Sequence, residues 1–358
     1  MVKPLKILLL SALALGAWAT ISARAAVVGI SLPNDLKDYR WLQDGRILKE
    51  DLEAAGHEVL LEYAGQNNEQ LQLKQIASLI EREVAVLLIA PVNCDSMGET
   101  LEQAKLKGIP IIAYDRLING TDAISYYLSF DNQRIGVMQG HYLERQLGLE
   151  GAIEPRHLEI FSGDGNDSNA KYLYDGAMSV LAPYLKSGML KVSSGETSLR
   201  QTAIKDWQLE VANTRMTTLI AKHGYSSHRS RLDAVLSPND SIAQGVIKAL
   251  LAAGYNQRNI PLVTGLDCLP KSVKLLSEGL QAMSAFKDSK VMAKEAVKMV
   301  NAITSGQEVD INDLDSYHNG AGPIPAVLLT PLMVTRDNVA HTLFDKGYFN
   351  EQDIKNLP

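Results

Sequence analysis

The chain has only two cysteines in 358 residues, Cys94 and Cys268, which is no disulfide framework for its length. An exported compartment would still allow the two to pair, and two separate free thiols are the plainer alternative. The seven histidines are scattered, and no Cys/His cluster has the spacing of a zinc site. Basic residues are not in excess: 35 Lys+Arg stand against 41 Asp+Glu, and the net charge of −6 argues against nucleic acid as a partner. Beyond the first residues no run is long and apolar enough to span a bilayer. There is no Gly-x-Ser-x-Gly elbow and no P-loop; Gly163-Asp164-Gly165-Asn166 lacks a third glycine, and its acid would repel phosphate. Neither cysteine has a histidine close in sequence to activate it. The carboxylates Asp164 and Asp167 could serve a glycosidase, yet nothing in their spacing requires it. No catalytic residue, metal ligand or cofactor is therefore expected.

At the N-terminus, Lys3 and Lys6 precede an uncharged, mostly apolar stretch from Ile7 to Trp18, and Ala23-Arg24-Ala25 follows. Basic, apolar and small-residue regions in that order make a cleaved secretory signal peptide over 1–25. No cysteine near the cleavage point offers a lipid anchor, and the expected location is the periplasm.

The remainder alternates strand and helix. Apolar runs at Ala26–Leu32, Val59–Tyr63, Val84–Ala90 and Gly108–Arg116 are separated by helically spaced segments at Trp41–Ala55, Asn68–Glu83 and Ser96–Lys107. Wholly apolar strands joined by helices imply a parallel sheet buried on both faces. After the strand Tyr126–Phe130 and the helix Gln133–Leu147, a second such series starts at Leu158 and continues to the helix Ser289–Thr304. The expected class is α/β, two similar doubly wound lobes. No low-complexity linker divides them, so several ordered crossings and an interlobe cleft are expected.

Strand after strand ends in a polar group, and ligands of open parallel sheets bind beyond those carboxyl ends. Asp115 and Arg116 close one strand, and Asn93 another; Asp164, Asp167 and Asn169 follow a third; Asn239-Asp240, Asp267 and Lys287 follow three more. Each has an ordinary explanation as a salt bridge or helix cap, and Asp95, Asp240 and Asp288 are assigned mainly to capping. Together they mix acceptors, amides and donors. A polyol, whose hydroxyls both donate and accept, requires that mixture. Trp41 and Trp207 are placed to stack on the C–H face of a sugar, with core packing as the alternative. Tyr172 and Tyr174 are weaker candidates, and Tyr114 reads as packing.

Several phrases carry a family likeness: Tyr39-Arg40-Trp41, Ala113-Tyr114-Asp115-Arg116 with Asn119, Ser129 to Gln133, Tyr174 to Leu181, Ser237 to Asp240, and Leu329 to Leu332 with a Gly347-Tyr348-Phe349 tail. With them the chain resembles the periplasmic sugar-binding proteins of the ribose/xylose/galactose class, and within it the xylose-binding and multiple-sugar-binding receptors of ABC transporters. The resemblance implies a type I periplasmic binding protein fold with three hinge crossings, near Asp131-Asn132, near Phe286-Lys287 and around Gly322 to Pro325. The implied division is 26–131 plus 287–322 for the N-terminal lobe and 132–286 plus 323–358 for the C-terminal lobe. The resemblance also implies sugar contacts at Arg40, Trp41, Asp115, Arg116, Asn169, Trp207, Asn239, Asp267 and Lys287, with Asp167 less firmly matched; Asn93 rests on its strand-end position. It implies a monomer that binds a monosaccharide and delivers it to an ABC-transporter permease. The alternative is a sugar sensor that presents the closed lobes to a membrane sensor kinase or chemoreceptor. Gly265-Leu266-Asp267 and Asp206 before the tryptophan depart from the pattern, which leaves the sugar unnamed.

Overall fold

The computed structural model describes residues 25–34, 39–226 and 231–357, so the expected signal peptide lies outside the described residues except for Ala25. The chain begins with β1 (Val27–Leu32), α1 (Tyr39–Ala54), β2 (Glu58–Tyr63), α2 (Glu69–Glu81), β3 (Val86–Ile89), α3 (Gly98–Leu106), β4 (Ile111–Tyr114) and β5 (Tyr126–Phe130). It then crosses into α4 (Asn132–Leu147), β6 (Arg156–Ile160), α5 (Ser168–Ser187), β7 (Leu190–Val192), α6 (Leu199–Thr202), α7 (Leu209–His223), β8 (Ala234–Leu236), α8 (Asp240–Ala252), β9 (Leu262–Val263), α9 (Pro270–Ser277) and β10 (Ser284–Phe286). It returns for α10 (Ser289–Thr304) and β11 (Ala326–Leu329), and ends with β12 (Leu332–Val334) and α11 (Glu351–Lys355).

The first sheet is six-stranded, in the order β11-β5-β4-β3-β1-β2, and parallel throughout. Its middle strands β3 and β4 are buried at every position, as strands covered by helices on both faces must be. The second sheet, β7-β6-β8-β9, is also parallel. A bridge between Leu266 and Ala285 leads from it to the antiparallel pair β10–β12. Both sheets reverse their winding direction once, between β1 and β3 in the first and between β6 and β8 in the second. A reversal opens a crevice at the strand ends. The two crevices face each other across the interlobe cleft, which is how two runs of α/β units produce a single site.

One boundary differs from the sequence expectation. Residues 323–358 do not all belong to the second lobe: β11 pairs with β5 in the first sheet, Ala326 opposite Tyr127 through Leu329 opposite Phe130. The third crossing therefore lies at Thr330-Pro331, between β11 and β12, rather than at 322–325. Proline suits that place because it has no N–H to offer a ladder. The crossing before α10 is fixed by the C-terminal tail. The Tyr348 hydroxyl donates to the Asp288 carboxylate, and Tyr348 packs edge-on against Phe286 with ring centroids 4.8 Å apart.

In the second lobe α4 and α5 approach so closely that a Cβ on Gly136 would stand 2.1 Å from the Leu173 carbonyl oxygen, and one on Gly176 2.1 Å from that of Gln133. Any side chain there would push the helices apart. Asp131 caps α4 by accepting from the Arg134 amide, and Asp288 caps α10 by accepting from Lys290 and Val291. The expected caps at Asp95 and Asp240 are not formed. Asp95 accepts instead from Asn119 Nδ2 at 2.8 Å, and Met97 precedes α3 with no side-chain cap. Asp240 accepts from the Leu269 amide, Gln281 and Ser284, which ties the loops beyond β9 and β10 together. Capping of α8 falls to Asn239, which accepts from the Ile242 amide.

Candidate functional site

The lobe-one wall is built at the end of β4. Asp115 stands there with φ 63°, a left-handed conformation that Asp tolerates better than most side chains. The turn is held by its own carbonyl oxygen, which accepts from Tyr127 Oη at 2.9 Å, Ser129 Oγ at 2.9 Å and Asn169 Nδ2 at 3.1 Å. The Asp115 carboxylate then faces two cations: Oδ1 lies 2.6 Å from Arg40 Nη2 and 3.1 Å from Lys287 Nζ. Burial opposes its ionisation, but Arg40 and Lys287 overcome that and hold its pKa well below the usual carboxylate range. Arg40, in the first turn of α1, also meets Asp44 at 3.5 Å and Asp267 at 3.6 Å. Burial works against its charge, yet the three carboxylates raise its pKa well above the ordinary value. Trp41 lies between two guanidinium groups, Arg40 at 4.8 Å and Arg116 at 5.2 Å from its ring centroid, a cation–π arrangement that fixes the indole. Tyr114 is fully buried in the lobe-one core, in keeping with a packing role.

The lobe-two wall comes from the loops after β6, β8 and β9. Asp167 caps α5 and pairs with Arg116, Oδ2 to Nε 2.8 Å. Asn169 reaches across to Asp115 and accepts from Asn132 Nδ2 at 2.9 Å. Asp164 accepts from the backbone amide of Asp206 and holds Asp206 and Trp207 in left-handed conformations, φ 51° and 55°. That turn lays the Trp207 indole over Gly163, where a Cβ would meet the ring at 2.0 Å. Asn239 and Asp267, the latter at φ 96°, complete the wall, and Lys287 enters from the crossing after β10.

These groups line one cleft. All the residues expected from the sequence border it except Asn93: Arg40, Trp41, Asp115, Arg116, Asp167, Asn169, Trp207, Asn239, Asp267 and Lys287. Asn93 stands elsewhere. Its amide donates to Glu69 at 3.2 Å and its oxygen accepts from the Asp95 amide, so it shapes the loop after β3. Tyr172 and Tyr174 also turn away, bonding the carbonyls of His318 and Thr197. Three lining residues were not anticipated, Asn34, Asn67 and Leu173, while Asp206 and Leu266 were noted from the sequence only as departures from the family pattern. Asn34 follows β1 at the crevice of the first sheet, a position that the strand-end rule covers. Leu173 and Leu266 join the apolar cluster around Trp41 from the opposite lobe.

Beside the cleft the lobes touch directly. The Cys94 amide donates to the Asn166 carbonyl at 3.0 Å, and the Ser168 amide to Cys94 Sγ at 3.3 Å. Ser168 Oγ donates to the Leu117 carbonyl and accepts from the Leu117 amide, both at 3.1 Å. Both cysteines are free and buried, so the pairing considered from the sequence is not formed. Burial, reinforced by Asp167, pushes the Cys94 thiol up to about 12, far from a reactive thiolate.

The cleft thus presents carboxylates, guanidinium groups, an ammonium, amides and two indoles to one small volume. Among the buried atoms of its wall, Trp207 Nε1 has neither a hydrogen-bond nor an ion-pair partner among the described residues. A buried indole N–H left open in a pocket suits a ligand that supplies an acceptor. Known proteins resemble the chain over most of its length. Residues 28–308 match the periplasmic binding protein domain. The multiple sugar-binding periplasmic protein SbpA of Azospirillum brasilense is 38% identical over 345 residues, covering 96% of this chain and 95% of that protein. The multiple sugar-binding periplasmic receptor ChvE of Rhizobium radiobacter is 36% identical over 336 residues, covering 93% and 94%. The crystal structure of an ABC transporter solute-binding protein from Clostridium phytofermentans with bound β-D-glucose superposes with a TM-score of 0.87 at 44% identity, covering 92% of this chain and all of that one. With two doubly wound lobes, a polar cleft between them and relatives matched over nearly the whole length, the chain belongs to the periplasmic binding protein family.

Proposed function

We propose that the chain binds one aldose monosaccharide, of the xylose or glucose/galactose kind, between its lobes and delivers it to an ABC-transporter permease. The observation that carries this reading is the convergence of matched donors and acceptors from both lobes on one cleft that also contains two indoles. A hydroxyl left unpaired in such a cleft costs on the order of 1–3 kcal/mol, so the lining itself makes the site selective. The sugar binding named for both relatives above, and the glucose in the Clostridium phytofermentans protein, support the ligand class. The ABC-transporter title of that protein supports the partner, and the periplasmic names support export through a cleaved leader. Ligand contacts to both walls favour the closed arrangement over an open one, which is what a permease would recognise. A membrane sensor would use the same closed lobes, and the term receptor applied to ChvE keeps that partner in the comparison. The reading is of binding without turnover.

A calorimetric and thermal-shift panel of common aldoses tests it. One pentose or hexose binds with a stoichiometry of one and raises the melting temperature by mass action. A panel in which no aldose binds overturns the reading.

A further inference from the structure

The charges that line the cleft do not cancel. Asp115, Asp167, Asp206 and Asp267 stand against Arg40, Arg116 and Lys287, four carboxylates to three cations. Asp115, Asp167 and Asp267 each lie within 4 Å of a guanidinium or ammonium nitrogen. Asp206 has no such ion pair, and its carboxylate makes no hydrogen bond among the described residues. Behind half-buried Asp206 stands buried Asp164, with both oxygens taken by backbone amides, of Asn166 and Asp206, and no cation. The position is built rather than incidental. A left-handed turn at Asp206 and Trp207, pinned by Asp164, brings the Asp206 side chain to the cleft beside the stacking indole. Burial and the neighbouring Asp164 both raise the Asp206 pKa, against Lys205 and Arg116, as an uncompensated carboxylate requires.

We propose that Asp206 is a specificity residue that bars anionic sugars: its unpaired carboxylate leaves the cleft negative, so uronates are rejected where the corresponding neutral aldoses are accepted. The proposal rests on the aldose-binding reading and adds the charge class of the ligand. Two like charges held in one cleft and partly removed from water repel enough to change affinity by about tenfold or more.

Asp206→Asn tests it, because Asn is among the residues that best tolerate a left-handed backbone, so the turn is kept. A thermal melt confirms the fold. Binding of D-glucose, D-glucuronate, D-galactose and D-galacturonate is then measured by calorimetry for both proteins. The wild type prefers the aldose, and the variant narrows that preference by about tenfold or more while still binding the aldose. An unchanged ratio overturns the proposal. So does a uronate undetectable in both proteins, since size then excludes it, and so does loss of the aldose in the variant, since Asp206 is then a contact that every sugar needs. If the wild type binds no aldose in the wider panel, the underlying functional reading fails instead.

Discussion

Lobe one offers the cleft Arg40 and Arg116; lobe two offers Asp167, Asp206 and Asp267 and no lysine or arginine. The third cation, Lys287, stands on the crossing between them. The two walls therefore attract each other before any ligand arrives, through Arg116–Asp167 at 2.8 Å and Arg40–Asp267 at 3.6 Å. Complementary charge of this kind fixes register and orientation more than it adds raw affinity. The asymmetry has a second lesson. Because lobe one concentrates the cations, it needs its own buried carboxylates to hold them, and Asp115 and Asp44 both serve Arg40. Lobe two has no such need, and its acids and amides sit on loop turns with left-handed backbones at Asp206, Trp207 and Asp267. One wall is a braced charge cluster and the other a set of aimed loops.

The strongest way to break this contrast is Asp115→Asn, which keeps the turn but removes the charge that braces Arg40 and Lys287. Sugar affinity should fall by about a thousandfold, some 4 kcal/mol, because buried Lys287 loses its carboxylate partner and Arg40 loses the nearest of its three. Calorimetry would read it, and an affinity within tenfold of the wild type would refute the brace. Next comes Asp44→Asn. Burial raises the Asp44 pKa from the ordinary 3.8 to about 6, against the pull of Arg40. In the wild type the bound proton stabilises the fold fully below pH ~4, and that contribution is lost as pH rises toward about 6. It amounts to at most on the order of 3 kcal/mol. Asparagine cannot titrate, so the variant should lack this decline, and urea unfolding at pH 4 and pH 7 should show the two proteins diverging. Parallel pH profiles would dismiss it. The smallest effect sharpens the lobe-two side: Trp207→Ala should weaken sugar binding by about tenfold, ~1.4 kcal/mol, with the melting temperature nearly unchanged, because this indole lies partly exposed between two cores. A large fall in melting temperature would instead make Trp207 a core residue like Trp41.

Much of the site could be read from the sequence because strand ends in a parallel sheet are ligand positions wherever the strands are recognisable, and β3, β4 and β8 are apolar throughout. What the sequence left open or misassigned has another cause. Asp206 reaches the cleft only because Asp164, far away in sequence, pins a left-handed turn, and no local pattern encodes that contact. The capping rule misassigned Asp95 and Asp240 for the same reason: tertiary partners, Asn119 for one and Gln281 and Ser284 for the other, outcompeted the neighbouring amides. Asn93 met the strand-end rule, yet Glu69 took its amide. The pattern at Ala326–Leu329 identified a strand but not its neighbour, since pairing with β5 depends on how a distant segment folds back.

That returning strand has a consequence for how the molecule comes into being. The β11 edge of the first sheet is made from residues 326–329, after β6 to β10 of the second lobe have been synthesised. The first lobe therefore cannot finish as the chain emerges; it must wait, with the β5 edge unpaired, until almost the last residues appear. Long-range pairing of this kind folds slowly. A waiting open edge invites association with other chains. The topology that joins the lobes into one hinge thus keeps the nascent chain incomplete, and dependent on protection, nearly to its end.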